Sequence, residues 1–232
     1  AQFGFLPLIA GTLWVSLFAI LFALPFGLSV SIYMSEVANP KVRSWLKPII
    51  ELLSGIPSVV YGFFGLIVIV PLIQKLFDLP VGESGLAGSI VLAIMALPTI
   101  ITVTEDAMRN CPRAMREASL ALGASQWQTI YKVVIPYSIS GITSGVVLGI
   151  GRAIGETMAV LMVTGNAAVI PTTILEPLRT IPATIAAELG EAPAGGPHYQ
   201  ALFMLGVVLF FITLIINFSV EYISSKGLKR SK

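Results

Sequence analysis

The sequence predicts an all-α fold, a bundle of helices that crosses a membrane five times. Apolar residues make up 56% of the 232 residues, charged residues make up 11%, and the mean hydropathy is +0.90. These values are typical of multi-span membrane proteins. Polar clusters separate five apolar stretches, each at or above the roughly 20 residues that a membrane-crossing helix needs. The stretches cover residues 5–34, 49–74, 86–104, 133–164 and 200–223.

The residue types that carry redox, metal or nucleic-acid chemistry are sparse. Cys111 is the one cysteine, so no internal disulfide forms, and no nearby histidine gives it metal-ligand spacing. We expect it to be a small buried residue. His198 lacks a serine or aspartate arrangement around it, so we interpret it as a loop residue rather than a catalyst or ligand. The net charge of +2 follows the membrane topology and indicates no nucleic-acid binding.

Basic residues concentrate on one side of the predicted bundle. Eleven of the 14 lie between spans one and two, between spans three and four, or after span five. By the positive-inside rule these segments and the C-terminus are cytoplasmic, and the N-terminus and residues 165–199 are outside. The opening "AQFGFLPLIAGTLWV" has neither an initiator methionine nor a basic region. We therefore expect an earlier span or export signal to precede it.

The predicted span four is rich in glycine. Gly141, Gly145 and Gly149 are spaced four apart, and Gly151 and Gly155 repeat that spacing. Small residues at this interval let another helix backbone come very close. We expect a tightly packed helix at this stripe.

Residues 105–132 form a polar insert between spans three and four, rich in good helix formers. Gly123 is suited to the left-handed conformation that ends a helix. Ser125 with Gln128 three positions later predicts a capping box that begins the next helix. The insert is therefore predicted to be a helix, a sharp corner and a second helix that leads into span four.

The first of these two helices has a face of small residues beside two leucines. The face consists of Ala114, Ala118 and Ala121, with Leu120 and Leu122 next to it. Two interpretations remain open from the residues alone. The helix fits a groove on a soluble partner, or it lies at the lipid interface and is held there by its basic residues.

The insert resembles the EAA loop of ABC-importer permeases, whose pattern is EAA, three residues, G, nine residues, I-LP. The matching positions are Glu117, Ala118, Ser119, Gly123, Val133, Val134, Ile135 and Pro136. Ser119, Val133 and Ile135 depart mildly from that pattern. The resemblance implies a coupling helix that docks into a cytoplasmic ATPase subunit. No G-x-x-x-x-G-K-[ST] motif occurs in the chain, which agrees with an ATP site on another subunit.

Three further stretches resemble PstC-type permease subunits of phosphate importers. They are "ELLSGIPSVVYGFFGLIVIVP" (51–71), "GRAIGETMAVLMVTGN" (151–166) and "TTILEPLRTIPATIAAELGEA" (172–192). The partner permease of such systems typically reads "GETAPL" where this chain reads "GETMAV". The resemblance covers nearly the whole chain. It implies a single permease domain over 1–232 with the type I ABC-importer fold, in which the first of the usual six spans is absent.

The resemblance also implies the assembly. We expect a second permease subunit of PstA type, an ATPase dimer of PstB type and an external phosphate-binding protein of PstS type, all at the cell inner membrane. ATP and magnesium are expected on the ATPase, with no cofactor bound by this chain. The chain is then a transport subunit rather than an enzyme.

Arg152 and Glu156 are two charges within the predicted span four. On a continuous helix, residues four apart share one face and pair. An arginine at mid-bilayer costs at least about 2.5–3.5 kcal/mol, so both should face the bundle interior or water. The pair is either a structural ion pair or part of the phosphate pathway. In the pathway Arg152 presents its fork of donors to the anion, Glu156 holds that fork until phosphate displaces it, and Thr157 adds a hydroxyl.

The external segment 165–199 is predicted to contain a short amphipathic helix. Apolar residues at helical spacing run through residues 176–189 and end at Gly190. The resemblance implies that this face receives the binding protein, and a lid that packs on the bundle is the alternative.

Three other functions are alternatives to a phosphate-importer permease. A permease for sulfate or molybdate differs only in substrate. An ion-coupled secondary transporter would show two related halves, and no such repeat is seen. A membrane enzyme would need a catalytic cluster at membrane depth, which the sequence does not indicate.

Overall fold

The computed structural model describes residues 4–230, with side chains described to residue 222. Within that part the chain is helical, apart from loops and an isolated bridge between Gly165 and Leu178. The helices are α1 (Leu6–Val37), α2 (Pro40–Ser54), α3 (Ser58–Leu76), α4 (Gly85–Arg109), α5 (Arg113–Ala121), α6 (Gln126–Gly155), α7 (Met158–Val163), α8 (Ile181–Glu188) and α9 (Pro197–Arg230).

Five of the described helices are long and apolar enough to cross a membrane: α1, α3, α4, α6 and α9 as far as Tyr222. The five-span prediction is confirmed. The predicted bounds of span two, 49–74, are wrong, because residues 49–54 belong to α2. Pro57 has no N–H and lies in an extended conformation with ψ 140°, so the helix restarts after it at Ser58.

Spans three and four also end where composition did not indicate. Helix α4 continues to Arg109, so residues 105–109 of the predicted loop are helical. Helix α6 begins at Gln126 and ends at Gly155, whereas 133–164 was predicted. Glu156 and Thr157 are not helical, and the six-residue α7 follows them. Helix α8 is likewise shorter than the predicted 176–189.

The contacts group the chain into two compact units, each made of several segments. The first contains residues 1–23, 56–96 and 150–215, and its main core packs Val15, Leu92, Met95 and Val163 with their neighbours. A second apolar cluster in this unit joins α8 to the start of α9. Its buried members are Leu8, Ile181, Leu202 and Leu205.

The second unit contains residues 24–55, 97–149 and 216–232. Its core consists of Met108, Cys111, Val134 and Ile142. Cys111 is buried and free, as predicted. The second unit therefore holds the ends of α1 and α4, all of α2 and α5, and most of α6.

The glycine stripe of α6 packs closely along part of its length, as predicted. A side chain at Gly141 would overlap Ala107, one at Gly145 would lie 2.9 Å from Thr104 Oγ1, and one at Gly149 would lie 2.7 Å from Ile100. Ser138 in the same helix donates a hydrogen bond to the carbonyl of Ala107, 3.0 Å away. These contacts bring the α6 and α4 backbones together.

The last two glycines of the stripe behave differently. Within the described residues, nothing lies within 4 Å of a Cβ built on Gly151 or Gly155. The close-packing prediction therefore holds for three of the five positions. Gly151 and Gly155 leave open space next to the end of α6.

Candidate functional site

The corner between α5 and α6 is fixed by backbone hydrogen bonds. The N–H of Ala124 donates to the carbonyl of Ser119 at 3.2 Å, and the N–H of Gly123 donates to Leu120 at 2.9 Å. This pair of bonds is the Schellman motif, which requires a left-handed residue. Gly123 supplies it with φ +86°, so the predicted helix stop is confirmed.

Side chains reinforce the same corner. Ser125 Oγ accepts from the N–H of Gln128, and the side chain of Gln128 accepts from the N–H of Ser125, which is the predicted capping box. Ser119 and Thr129 join across the corner through their hydroxyls, 2.9 Å apart. The serine that departs from the EAA pattern therefore links α5 to the start of α6.

Helix α5 is exposed along its apolar side. No residue of α5 is buried, and the side chain of Leu122 just after it is 90% exposed. Glu117 and Ala118 are exposed, and Ser119 is half-buried. The predicted face of small residues and leucines is thus present and uncovered within the described chain.

Arg116 anchors α5 to the neighbouring helices. Its guanidinium donates to Glu36 Oε1 at 2.9 Å and to the carbonyl of Met108 at 2.8 Å. Glu36 Oε1 also accepts from Ser35 at 2.6 Å. The anchor therefore ties α5 to the ends of α1 and α4.

A second ion-pair cluster lies at the end of α4. The side chain of Glu105 is 1% exposed. Arg43 Nε donates to Glu105 Oε1 at 2.7 Å, and Lys47 Nζ donates to Glu105 Oε2 at 3.0 Å. Arg109 lies 3.9 Å from the same carboxylate. These contacts bind the charged face of α2 to the end of α4.

Lys47 is also paired with Asp106. Partial burial disfavours charge on the ammonium, but the hydrogen bonds that it donates to Asp106 and Glu105, together with their negative charges, outweigh this effect and raise the pKa of Lys47 above its ordinary 10.5. A group whose pKa is raised on folding stabilises the folded state. This stabilisation is fully present at pH values below the pKa of the unfolded state, and it is lost as the pH rises through the pKa of the folded state. The stabilisation by Lys47 is therefore complete throughout the physiological range.

Arg152 lies just before the break between α6 and α7, and Glu156 lies in the break itself. Arg152 is half-buried in the last turn of α6, and its positive charge interacts electrostatically with the buried side chain of Tyr61. Glu156 Oε1 accepts from the N–H of Ala159 at 3.3 Å and so caps α7. The prediction that the two share one face of a continuous helix is wrong, because the helix ends at Gly155.

Thr157 lies at the same break. Its hydroxyl donates to the carbonyl of Gly155 at 3.3 Å. Gly155 and Thr157 line one wall of an open groove of about 500 Å³, whose other walls are apolar residues of α8 and α9. Thr164 is buried and its hydroxyl donates to Val160, so it contributes nothing to this groove.

Residues 165–199 contain a charged cluster that the sequence did not predict. Arg179 NH1 lies 2.6 Å from Glu188 Oε1, and Arg179 Nε donates to the carbonyl of Asn166 at 3.1 Å. His198 Nε2 lies 3.2 Å from Glu188 Oε2. The interpretation of His198 as a loop residue is wrong, since it lies in the first turn of α9 and contacts this carboxylate.

Another carboxylate of this segment is held locally. Thr172 donates to Glu176 through its hydroxyl at 2.7 Å and its N–H at 2.8 Å. These hydrogen bonds lower the pKa of Glu176 below its ordinary value. Glu176 therefore stays ionised in the folded segment.

The sequence signals for the ion-pair clusters were weak. Arg43 and Lys47 recur four apart on one face of α2, which marks a charged face. Their partner Glu105 is 58 or more residues away. Sequence spacing cannot supply that pairing.

These elements define a multi-span membrane protein with a rigid, exposed helical corner between its third and fourth spans. Residues 23–227 match the family described as binding-protein-dependent transport system inner membrane component. The chain belongs to this family. Membership implies a partner permease, an ATPase and a substrate-binding protein, and a multi-pass position in the inner membrane.

Two curated relatives and one solved structure support the assignment. The probable ABC transporter permease protein YqgH of Bacillus subtilis is 41% identical over 225 residues, which cover 97% of this chain and 73% of that protein. The phosphate transport system permease protein PstC of Mesorhizobium japonicum is 38% identical, over 95% of this chain and 73% of that protein. An inward-facing structure of the MetNI methionine ABC transporter matches with a TM-score of 0.72 and 19% identity, over 96% of each chain. The fold is that of type I ABC importer permeases.

The Glu105 cluster makes a specific prediction about stability. Replacing Glu105 by glutamine leaves Arg43 and Lys47 facing a neutral group and should cost about 3 kcal/mol. The apparent melting temperature of the chain in detergent should fall, and trypsin should cleave faster after Arg43. Glu51→Gln, at an exposed position of α2, is the control and should change neither quantity. An unchanged melting temperature for Glu105→Gln would contradict the role given to the cluster.

Proposed function

We propose that this chain is a permease subunit of an ATP-driven phosphate importer, forming half of the translocation pathway and coupling it to a cytoplasmic ATPase. The observation that carries the proposal is similarity along nearly the whole chain to several proteins named phosphate transport system permease protein PstC, at 36–38% identity. The helix break beside Arg152 supports it, because a discontinuous helix near a charged residue is a common site for an ionic substrate in transporters.

The proposed assembly contains four kinds of subunit. This PstC-type chain pairs with a PstA-type permease, a PstB-type ATPase dimer hydrolyses ATP with magnesium, and a PstS-type protein delivers phosphate from outside. The chain itself has no ATPase site in this proposal. The absence of a phosphate-cradling G-x-x-x-x-G-K-[ST] motif from the sequence supports that division.

The proposed orientation places α2, α5 and the C-terminus in the cytoplasm, with the N-terminus of this chain and residues 165–199 outside. The distribution of basic residues supports it, since 11 of 14 lie in the segments assigned to the cytoplasm. In this orientation α5 is the coupling helix. Glu117, Ala118, Ser119 and Gly123 then meet the ATPase, and the uncovered apolar side of α5 enters its cleft.

The proposed substrate pathway passes the break between α6 and α7. The guanidinium of Arg152 binds phosphate oxygens with paired donors, and Thr157 adds a hydroxyl. Glu156, which lies in the break, repels an anion, and this keeps binding weak enough for release. Gly151 and Gly155 leave space beside these side chains.

The first test is uptake of labelled phosphate into vesicles that hold this chain and its co-purifying subunits. We expect ATP-dependent uptake that resists excess sulfate and molybdate. Uptake abolished by either anion would assign the chain to another oxyanion. Uptake without ATP would favour an ion-coupled secondary transporter.

Arg152→Lys tests the pathway. Lysine keeps the charge but loses the paired donors, so phosphate uptake should fall about tenfold or more. The amount of assembled complex should not change. Glu156→Gln is the companion variant, because its amide oxygen still accepts from Ala159 while the negative charge is gone, and it should strengthen phosphate binding. Lys75→Arg, at an exposed position near the end of α3, is the control, and wild-type uptake by Arg152→Lys would refute the role of Arg152.

Leu122→Asp tests the coupling helix. The side chain of Leu122 is 90% exposed in the isolated chain, so the change should leave the free energy of unfolding within about 0.5 kcal/mol of wild type. A charge in an apolar cleft should nevertheless reduce co-purification of the ATPase and abolish uptake. Leu122→Met keeps the apolar contact and should restore both. Normal ATPase recovery with Leu122→Asp would show that the corner does not enter the cleft.

A further inference from the structure

Helix α2 separates charged and apolar side chains onto different faces. Arg43 and Lys47 form the charged face that contacts Glu105 and Asp106. Five large apolar side chains recur at helical spacing elsewhere on the helix and are each at least 40% exposed, whereas Leu46 and Ile50 are half-buried. The five exposed side chains are Val42, Trp45, Ile49, Leu52 and Leu53.

This apolar face has no cover within the described part of the chain. No residue of α2 is buried, and the side chains of Trp45 and Leu52 are 75% and 73% exposed. The ion pairs with α4 fix the roll of the helix, so the apolar face cannot turn inward without exposing Glu105. The face is therefore held outward by the charges on the opposite side.

The connections of α2 keep it at the membrane surface. It begins three residues after the end of α1 and ends four residues before the start of α3, and both of those helices are membrane spans. Each connecting residue reaches at most about 3.6 Å. Both ends of α2 thus stay near the points where spans leave the hydrocarbon.

Exposed apolar side chains also lie at the end of α1, three residues before α2 begins. Tyr33 and Val37, in the last turns of α1, are 45% and 47% exposed and belong to the same compact unit. An aromatic ring and aliphatic side chains at the end of a span are typical of the boundary between headgroups and acyl chains. We expect the exposed apolar side chains of α2, which begins three residues after α1, to meet the same boundary.

We propose that α2 is an interfacial helix whose apolar face is inserted into the phospholipid leaflet at the basic ends of the spans. Trp45 lies at the level of the headgroups, and the exposed Lys41 near the start of α2 meets lipid phosphates. Since Arg43 and Lys47 are already paired with carboxylates of α4, attraction to the lipid comes mainly from the apolar side chains. This role concerns the membrane contact of the chain and holds whatever substrate the importer carries.

The test is photo-crosslinking in native membranes that contain the assembled transporter. The photoreactive residue p-benzoylphenylalanine replaces Trp45 in one variant and Leu52 in a second, and the mass of the purified chain is measured after irradiation. We expect the chain to gain the mass of one phospholipid at both positions. Glu51→p-benzoylphenylalanine places the same probe at an exposed position outside the apolar face, and there lipid adducts should be about tenfold rarer.

The outcomes separate lipid from protein. A crosslink from positions 45 and 52 to another subunit would show that a protein covers this face and would overturn the proposal. Absence of any adduct at both positions, or equal lipid adducts at position 51, would also overturn it. Each variant must retain wild-type amounts of co-purified subunits, which shows that α2 is still in place.

Discussion

On the side of the protein that carries most of its basic residues, the attachment of α2 and α5 depends on ion pairs with carboxylates at the ends of the membrane-spanning helices. Glu105 is almost completely buried, and an ionised carboxylate in such a place is stable only with close partners. Arg43 and Lys47 provide them from α2, and Arg116 does the same for Glu36 from α5. Neither α2 nor α5 has a buried residue. Both helices are therefore attached by charge rather than by an apolar core.

This way of attaching helices leaves their apolar sides outward. In a soluble domain an amphipathic helix turns its apolar face to the core and its charges to water. Here the charged faces of α2 and α5 contact the span ends, and the apolar faces are exposed to whatever surrounds the chain. For α5 we propose an ATPase cleft, and for α2 a lipid leaflet. One structural device thus serves two different neighbours.

Features specified within a few residues were predicted from sequence. The helix stop at Gly123 and the capping box of Ser125 and Gln128 follow from local stereochemistry. The break after Gly155 was not predicted. Apart from Arg152 and Glu156 the sequence is mainly apolar through residue 164, and composition does not mark a helix end inside such a stretch. The contacts of Arg179 and His198 with Glu188 depend on how separate helices pack. No local pattern carries that information.

The seam between α4 and α6 has unequal ends. Ser138 donates a directional hydrogen bond to Ala107 at one end of the seam. Further along, the buried hydroxyl of Thr104, beside Gly145, has no hydrogen-bond partner among the described residues. At Gly149, a Cβ would meet only the apolar side chain of Ile100. Dispersion contacts tolerate small sliding better than a hydrogen bond does. A relative movement of these two helices would therefore be a rotation about the hydrogen bond of Ser138. The displacement between the helices would be smallest there and largest near Gly149.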